Sequence, residues 1–229
     1  MRGLFITGTD TGIGKTWLGC ALARALHEAG VRVIPRKPVE SGCLPGPRGL
    51  IPEDADLLAR AAQYRGDLEQ VCPWRFAEAI SPRLAARQTG RPLHLKQLLL
   101  ASQPDGRYDD EFLLVEGAGG FYSPLCEDGL NADLAQALEL PLLLVGDDRL
   151  GGVNQVLLAA EAIRHRGLQL LAVALNQPRN SADQPAAMDN RRELADRLPA
   201  PVYTVKHSTT QIPDELLNLI LETNDLSRG

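Results

Sequence analysis

The stretch Gly8-Thr9-Asp10-Thr11-Gly12-Ile13-Gly14-Lys15-Thr16 fits the spacing G-x-x-x-x-G-K-[ST], a phosphate-binding P-loop. It constrains the fold more than any other feature, because such a loop functions only between a strand and a helix. Both flanks agree. Leu4-Phe5-Ile6-Thr7 is a short apolar run suited to a buried strand. After Thr16, residues Leu18, Leu22, Leu26 and Ala29 recur at helical spacing, and Gly30 stands where a helix C-cap would. The glycines let backbone N–H groups turn towards a phosphate, and the helix N-terminus adds its positive dipole end. The chain is therefore expected to bind a nucleoside triphosphate through Gly12, Ile13, Gly14, Lys15 and Thr16. Lys15 would reach the β- and γ-phosphates, and the Thr16 hydroxyl would ligate Mg²⁺.

The remainder alternates strand and helix, the pattern of a mostly parallel sheet with helices on both faces. Strands are expected at 31–37 (with Pro35 tolerable at an edge or strand end), 112–115, 142–145, 168–175 and 202–205. Helices are expected at 54–64, 83–88, 95–101, 134–138, 153–164, 188–198 and 213–222, the last with Pro213 at its first position. Gly42 to Pro52, with three Gly and three Pro, reads as a long irregular loop. At 229 residues, 44% apolar and 23% charged, the chain suits one α/β domain spanning 1–229. Its net charge of −5, with no Lys/Arg-rich block, argues against nucleic acid and anionic membranes as partners. No apolar run approaches the ~20 residues that span a bilayer. The first strand follows with no signal-peptide pattern, so a cytoplasmic location is expected. Cys20, Cys43, Cys72 and Cys126 lack metal-binding or disulfide spacing and are expected as free thiols. His27, His94, His165 and His207 show no paired spacing; His27 and His165 fall near helix ends, where a cation offsets the dipole.

In an open parallel sheet, ligands bind beyond the C-terminal ends of the strands. The polar and Gly-rich clusters all fall there: the P-loop, Lys37-Pro38-Val39-Glu40-Ser41-Gly42, Glu116-Gly117-Ala118-Gly119-Gly120, Asp147 to Gly152, and Asn176. Mg²⁺ takes oxygen ligands, commonly one or two carboxylates plus substrate phosphates. Glu116, ending an apolar strand, is placed as one such acid, and Asp54, at a helix start, as a second, with Asp56 its rival. Lys37 is a point charge suited to a transferring phosphoryl group or a carboxylated intermediate. Phosphoryl transfer needs positioning and electrostatics rather than a protein nucleophile, so the loops should do the chemistry. The absence of an N-K-x-D guanine signature leans the base towards adenine.

These motifs together resemble dethiobiotin synthetase, a family of the P-loop NTPase superfamily. Thr7-Gly8-Thr9-Asp10-Thr11 with Gly14-Lys15-Thr16, Lys37-Pro38-Val39-x-Ser41-Gly42 and Glu116 to Gly120 carry the likeness. Asp54-Ala55, Ser81-Pro82, Leu150-Gly151-x-x-Asn154 and Asn176 follow in the family's order. The resemblance implies an ATP-dependent ring closure in which 7,8-diaminopelargonic acid and CO2 give dethiobiotin through a carbamate and its phosphorylated form. It implies Thr11, Lys37 and Ser41 on the diamine or carbamate, with the Gly119 backbone close by. Lys15 and Lys37 would stabilise the transferring charge, and Thr11 would act beside them. Thr16, Asp54 and Glu116 would hold Mg²⁺, and Asn176 would read adenine. A homodimer is implied, placing Gly151 to Asn154 near the substrate carboxylate. Arg83 and Gln155 stand where the family often has His, and Thr204-Val205-Lys206-His207 lacks the usual Gly-x-x-Pro turn. Three other readings use the same loop: a partitioning or assembly ATPase, whose signature lysine would occupy the Asp10 position; a nucleotide-binding paralogue without synthetase activity; and an enzyme on a different acid substrate, such as a small-molecule kinase or amidating synthase, which would not share the K-P-V-x-S-G run.

Overall fold

The computed structural model describes residues 2–47, 49–104, 111–177, 188–206 and 211–225. Chain order begins β1 (Gly3–Gly8), α1 (Lys15–Glu28), β2 (Arg32–Arg36), β3 (Val39–Ser41), β4 (Leu44–Gly46), β5 (Gly49–Ile51), α2 (Glu53–Ala61) and α3 (Leu68–Val71). Next come β6 (Trp74–Phe76), α4 (Pro82–Gln88), α5 (Leu95–Ser102), β7 (Glu111–Glu116), β8 (Pro124–Cys126), β9 (Gly129–Leu130) and α6 (Asn131–Leu138). The chain closes with β10 (Leu142–Asp147), α7 (Gly152–His165), β11 (Leu170–Gln177), α8 (Asn190–Ala195), β12 (Val202–Lys206) and α9 (Asp214–Thr223).

Six strands form the main sheet in the order β12-β11-β10-β1-β7-β2, and every neighbouring pair is parallel. Alternate residues of each central strand feed opposite faces, as the period of two demands. Phe5, Leu142, Leu144, Val173 and Leu175 join a core with residues of α4 to α8. Leu4, Ile6, Leu143, Val145, Ala172 and Ala174 join another with α1, α2 and α9. Both faces are thus covered, which is why these strands read as unbroken apolar runs. After β1 the chain moves to β2 on one side, and β7 to β10 carries it across to the other. This reversal puts the P-loop at the switch point, where parallel sheets open a crevice.

Pro35 lies in β2, an edge strand, as its missing donor requires. The stretch from Gly42 to Pro52 is not irregular: β4 and β5 pair antiparallel, Leu44 opposite Ile51 and Gly46 opposite Gly49, while Arg48 lies outside the described residues. Its proline content obscured the hairpin, which needs only a few ladder bonds. β3 and β6 make another short pair the sequence reading did not anticipate. Pro213 caps α9 rather than starting it, and α8 runs only from Asn190 to Ala195. All four cysteines are free and buried, and burial raises the pKa of each thiol, Cys20 to about 12. His27 and His165 occupy the last turns of α1 and α7; His207 lies outside the described residues.

Candidate active site

The P-loop is pinned on both sides. Thr9 N–H donates to the Val145 carbonyl of β10 at 2.9 Å, and the Gly8 carbonyl accepts from Phe121 N–H at 2.9 Å. Gly14 caps α1 with φ +91°, a left-handed conformation, and a Cβ there would collide with the Asn176 amide. Asn176, at the end of β11, donates its Nδ2 to the Ile13 carbonyl at 2.8 Å, while its buried Oδ1 has no partner among the described residues. Thr11 and Gly12 at the loop tip are exposed, whereas Lys15 is buried and donates to the Asp10 carbonyl at 2.6 Å. Burial pushes the Lys15 ammonium down to about 8.

Beside the loop, Lys37 is the hub. Its Nζ donates to Glu116 Oε1 at 2.6 Å and to Asp54 Oδ2 at 2.8 Å, and Thr16 Oγ1 donates to the same Glu116 oxygen at 2.7 Å. Burial works against the charge on Lys37, but the two carboxylates outweigh it and hold the ammonium above its ordinary range. Burial likewise opposes the charge on Asp54, yet Lys37 and Thr16 bring its pKa down. The rivalry between acids is decided by direction: Asp54 faces Lys37, while Asp56 pairs with Arg60 one turn on at 2.7 Å.

Glu40 was read only as the variable position of its motif, yet it sets Asp54 in place. Pro52 precedes α2 with no side-chain cap, and the buried Glu40 carboxylate accepts instead from the Asp54 and Ala55 N–H groups at 3.1 and 3.0 Å. The signal was available in principle: an acid ending a strand ahead of a helix that starts without a Ser, Thr or Asp cap. Glu40→Ala is expected to lower stability by about 0.5–2 kcal/mol, the usual range for a lost cap. It should also lower the affinity for added Mg²⁺, with Glu40→Gln intermediate. A stability loss in urea with an unchanged Mg²⁺ titration would reduce Glu40 to a cap. Asn131 is a second unanticipated support; it is fully buried and donates to the Gly120 carbonyl at 3.4 Å beneath the Glu116–Gly120 turn.

Gly119 has φ +76°, and a Cβ there would stand 3.5 Å from Thr11 Oγ1, so the turn after β7 faces the P-loop tip. Ser41 ends β3, half-buried, on the strand that leaves Lys37-Pro38. Gly151 and Asn154 follow β10, on the opposite side of β1 from β7 and β2. The fold thus gathers Thr16, Lys37, Asp54 and Glu116 into one bonded cluster, with Thr11 and Gly119 facing each other beside it. Gly151 and Asn154 occupy a separate part of the rim.

The oxygen set suits a hard divalent cation. Thr16, Asp54 and Glu116 offer one hydroxyl and two carboxylates, and the Asp54 side chain is 43% exposed. Two acids fall within the one or two carboxylates that Mg²⁺ takes from protein when phosphates and water complete its shell.

Residues 2–205 match a family described as an AAA domain. The chain is 44% identical over 200 residues to an ATP-dependent dethiobiotin synthetase of Anaeromyxobacter sp. (strain Fw109-5), covering 85% of each protein. It is 42% identical over 203 residues to an enzyme of the same name from Pseudomonas aeruginosa (strain LESB58), covering 88% of this chain and 87% of that one. Among solved structures it is similar to the septum site-determining protein MinD of Pyrococcus horikoshii, with a TM-score of 0.52, 18% identity and coverage of 99% and 97%. That last likeness concerns the fold.

Proposed function

The chain belongs to the dethiobiotin synthetase family, and from that premise we propose that it closes a cyclic urea: 7,8-diaminopelargonic acid, CO2 and ATP become dethiobiotin, ADP and phosphate. The observation that carries the reading is Lys37, one buried ammonium held by Glu116 and Asp54 beside the P-loop. One amine of the diamine adds to CO2 and loses a proton, giving a carbamate. A carbamate oxygen attacks the γ-phosphorus and ADP leaves. The second amine then attacks the carbonyl carbon, phosphate leaves, the nitrogen gives up a proton, and the ring closes.

In this reading Lys15 and Lys37 hold the charge that spreads over the transferring phosphoryl group, the largest contribution available to a site without a protein nucleophile. Mg²⁺ held by Thr16, Asp54 and Glu116 would supply further neutralising charge at the phosphates. Thr11, Ser41 and the Gly119 backbone position the diamine and its carbamate. Asn176 Oδ1, buried and unpartnered among the described residues, is an acceptor that suits the adenine amine and would repel the guanine carbonyl. Gly151 and Asn154 receive the substrate carboxylate near a homodimer interface. Leu150 and Leu158, 79% and 61% exposed on the β10–α7 unit, support burial of that surface by a second copy. Residues 1–229 act as one domain, in keeping with a bond from Gly3 N–H to Asn224 Oδ1 at 2.8 Å that ties the first strand to the end of α9. Among the described residues no helix is long and apolar enough to cross a membrane, and the reading places the enzyme in the cytoplasm.

The test is one assay of purified protein with Mg-ATP, bicarbonate and 7,8-diaminopelargonic acid, read by mass. A dethiobiotin mass that disappears when any component is left out is the expected result. Tight ATP binding without product would point instead to a paralogue lacking synthetase activity.

A further inference from the structure

A hollow of about 710 Å³ runs along the outer edge of β2, away from the P-loop cluster. Arg32, Ile34 and Arg36 of β2 form one wall, Tyr64 and Arg65 of the α2–α3 connection another, and His27 at the end of α1 closes it. Four of these six side chains are basic. The acid in its lining, Glu111, stands opposite Arg32 in the β2–β7 register and pairs with it at 3.3 Å. That register places Glu111 at the far end of the strand from Arg36.

Arg36 is the unusual member. It is only 2% exposed, its Nη1 donates to the Pro35 carbonyl at 3.0 Å, and its guanidinium lies 5.8 Å from the Tyr64 ring centroid. Its buried Nε has no acceptor, and no carboxylate pairs with it among the described residues. Arginine is almost never fully buried without a paired charge, because desolvating an uncompensated cation is costly. A guanidinium without a carboxylate among the described residues, on the wall of a cavity in the size range of small-molecule sites, offers a buried cation to an anionic group entering the hollow.

We propose that this hollow binds a small molecule through a carboxylate or phosphate group, with Arg36 as the buried ligand and Arg65 as the rim cation. The planar fork of a guanidinium fits either group in two parallel hydrogen bonds, and the Tyr64 ring holds that plane in place. Arg36 immediately precedes Lys37, so the site sits one peptide unit behind the phosphoryl-transfer cluster without sharing a side chain with it.

The test uses the whole chain saturated with Mg-ADP, which keeps added anions off the P-loop. Sulfate and succinate, each against sodium chloride of equal ionic strength, stand for phosphate and carboxylate ligands, and thermal unfolding is the readout. At least one should raise Tm along a saturating curve, and which one does so identifies the head group. Arg36→Met, which replaces the cation by an apolar chain of similar length, should weaken that response at least about tenfold, the scale of a lost charge-assisted bond. Arg65→Glu, an exposed change that leaves the core untouched, should weaken it at least about two- to fivefold, as for a rim charge. No saturating response to either probe, or the same response in the wild type and a folded Arg65→Glu protein, overturns the site. Binding is measured without turnover, so the result is separate from whether dethiobiotin is made.

Discussion

Lys15→Ala should cut turnover at saturating ATP by about a hundred- to a thousandfold or more, the scale of removing one preorganised charge from a transition state. The ammonium is buried and held to the Asp10 carbonyl before any nucleotide arrives, so little reorganisation is needed when a phosphate takes that place. Near-normal turnover in this variant would remove the P-loop from the mechanism. The same lysine carries a pH signature. Burial brings its pKa to about 8 in the free protein, and a bound triphosphate favours the charged form. Below pH 8 the amine is protonated both free and bound, and binding moves no proton at this group. Above pH 8 the free amine is largely neutral, so binding takes up a proton and affinity falls as pH rises. Calorimetry in two buffers of different ionisation enthalpy reads that uptake directly, and Lys15→Ala should abolish it.

Lys37→Ala should be the most destabilising change at the site, by about 3–5 kcal/mol, because it strands a buried carboxylate. The Glu116 side chain is fully buried, and without Lys37 its charge keeps only the Thr16 hydroxyl as a side-chain partner among the described residues. Neutralising both partners should reverse most of this loss. In Lys37→Met with Glu116→Gln neither member of the buried pair is charged, and such replacements are often neutral or stabilising. Activity should not return, since the double variant lacks both the phosphoryl-directed cation and a metal-directed acid. Denaturant titration of the three variants decides the matter: if the double variant is no more stable than Lys37→Ala, the charge-stranding account is wrong.

Legibility followed the range over which each feature acts. The P-loop, its strand and its helix are contiguous, so glycine placement and apolar spacing specify them within the first thirty residues or so. The buried strands were readable because helices cover both faces, turning each into an unbroken apolar run such as Phe112 to Val115. The hairpin at Leu44–Ile51 was not, because its prolines signal a loop while its pairing depends on a few cross-strand bonds. Asp54 and Asp56 could not be told apart from their spacing, since both lie in the first turn of α2. Only the packing of that helix against α1 and β2, with Glu40 of β3 holding its first N–H groups, turns Asp54 towards Lys37.

By itself, then, the sequence determined the phosphate loop, the alternating parallel architecture and the set of polar residues gathered at strand ends, because local periodicity and motif spacing encode each. The tertiary structure alone decided how those residues meet. Lys37 reaches a carboxylate seventy-nine positions away, Asn176 seats itself under a loop closed at the chain's beginning, and Arg36 ends up buried without a counter-charge among the described residues. Such outcomes depend on strand order and burial, which bring distant parts of the chain within hydrogen-bond range and strip them of water, and neither is written in any local stretch.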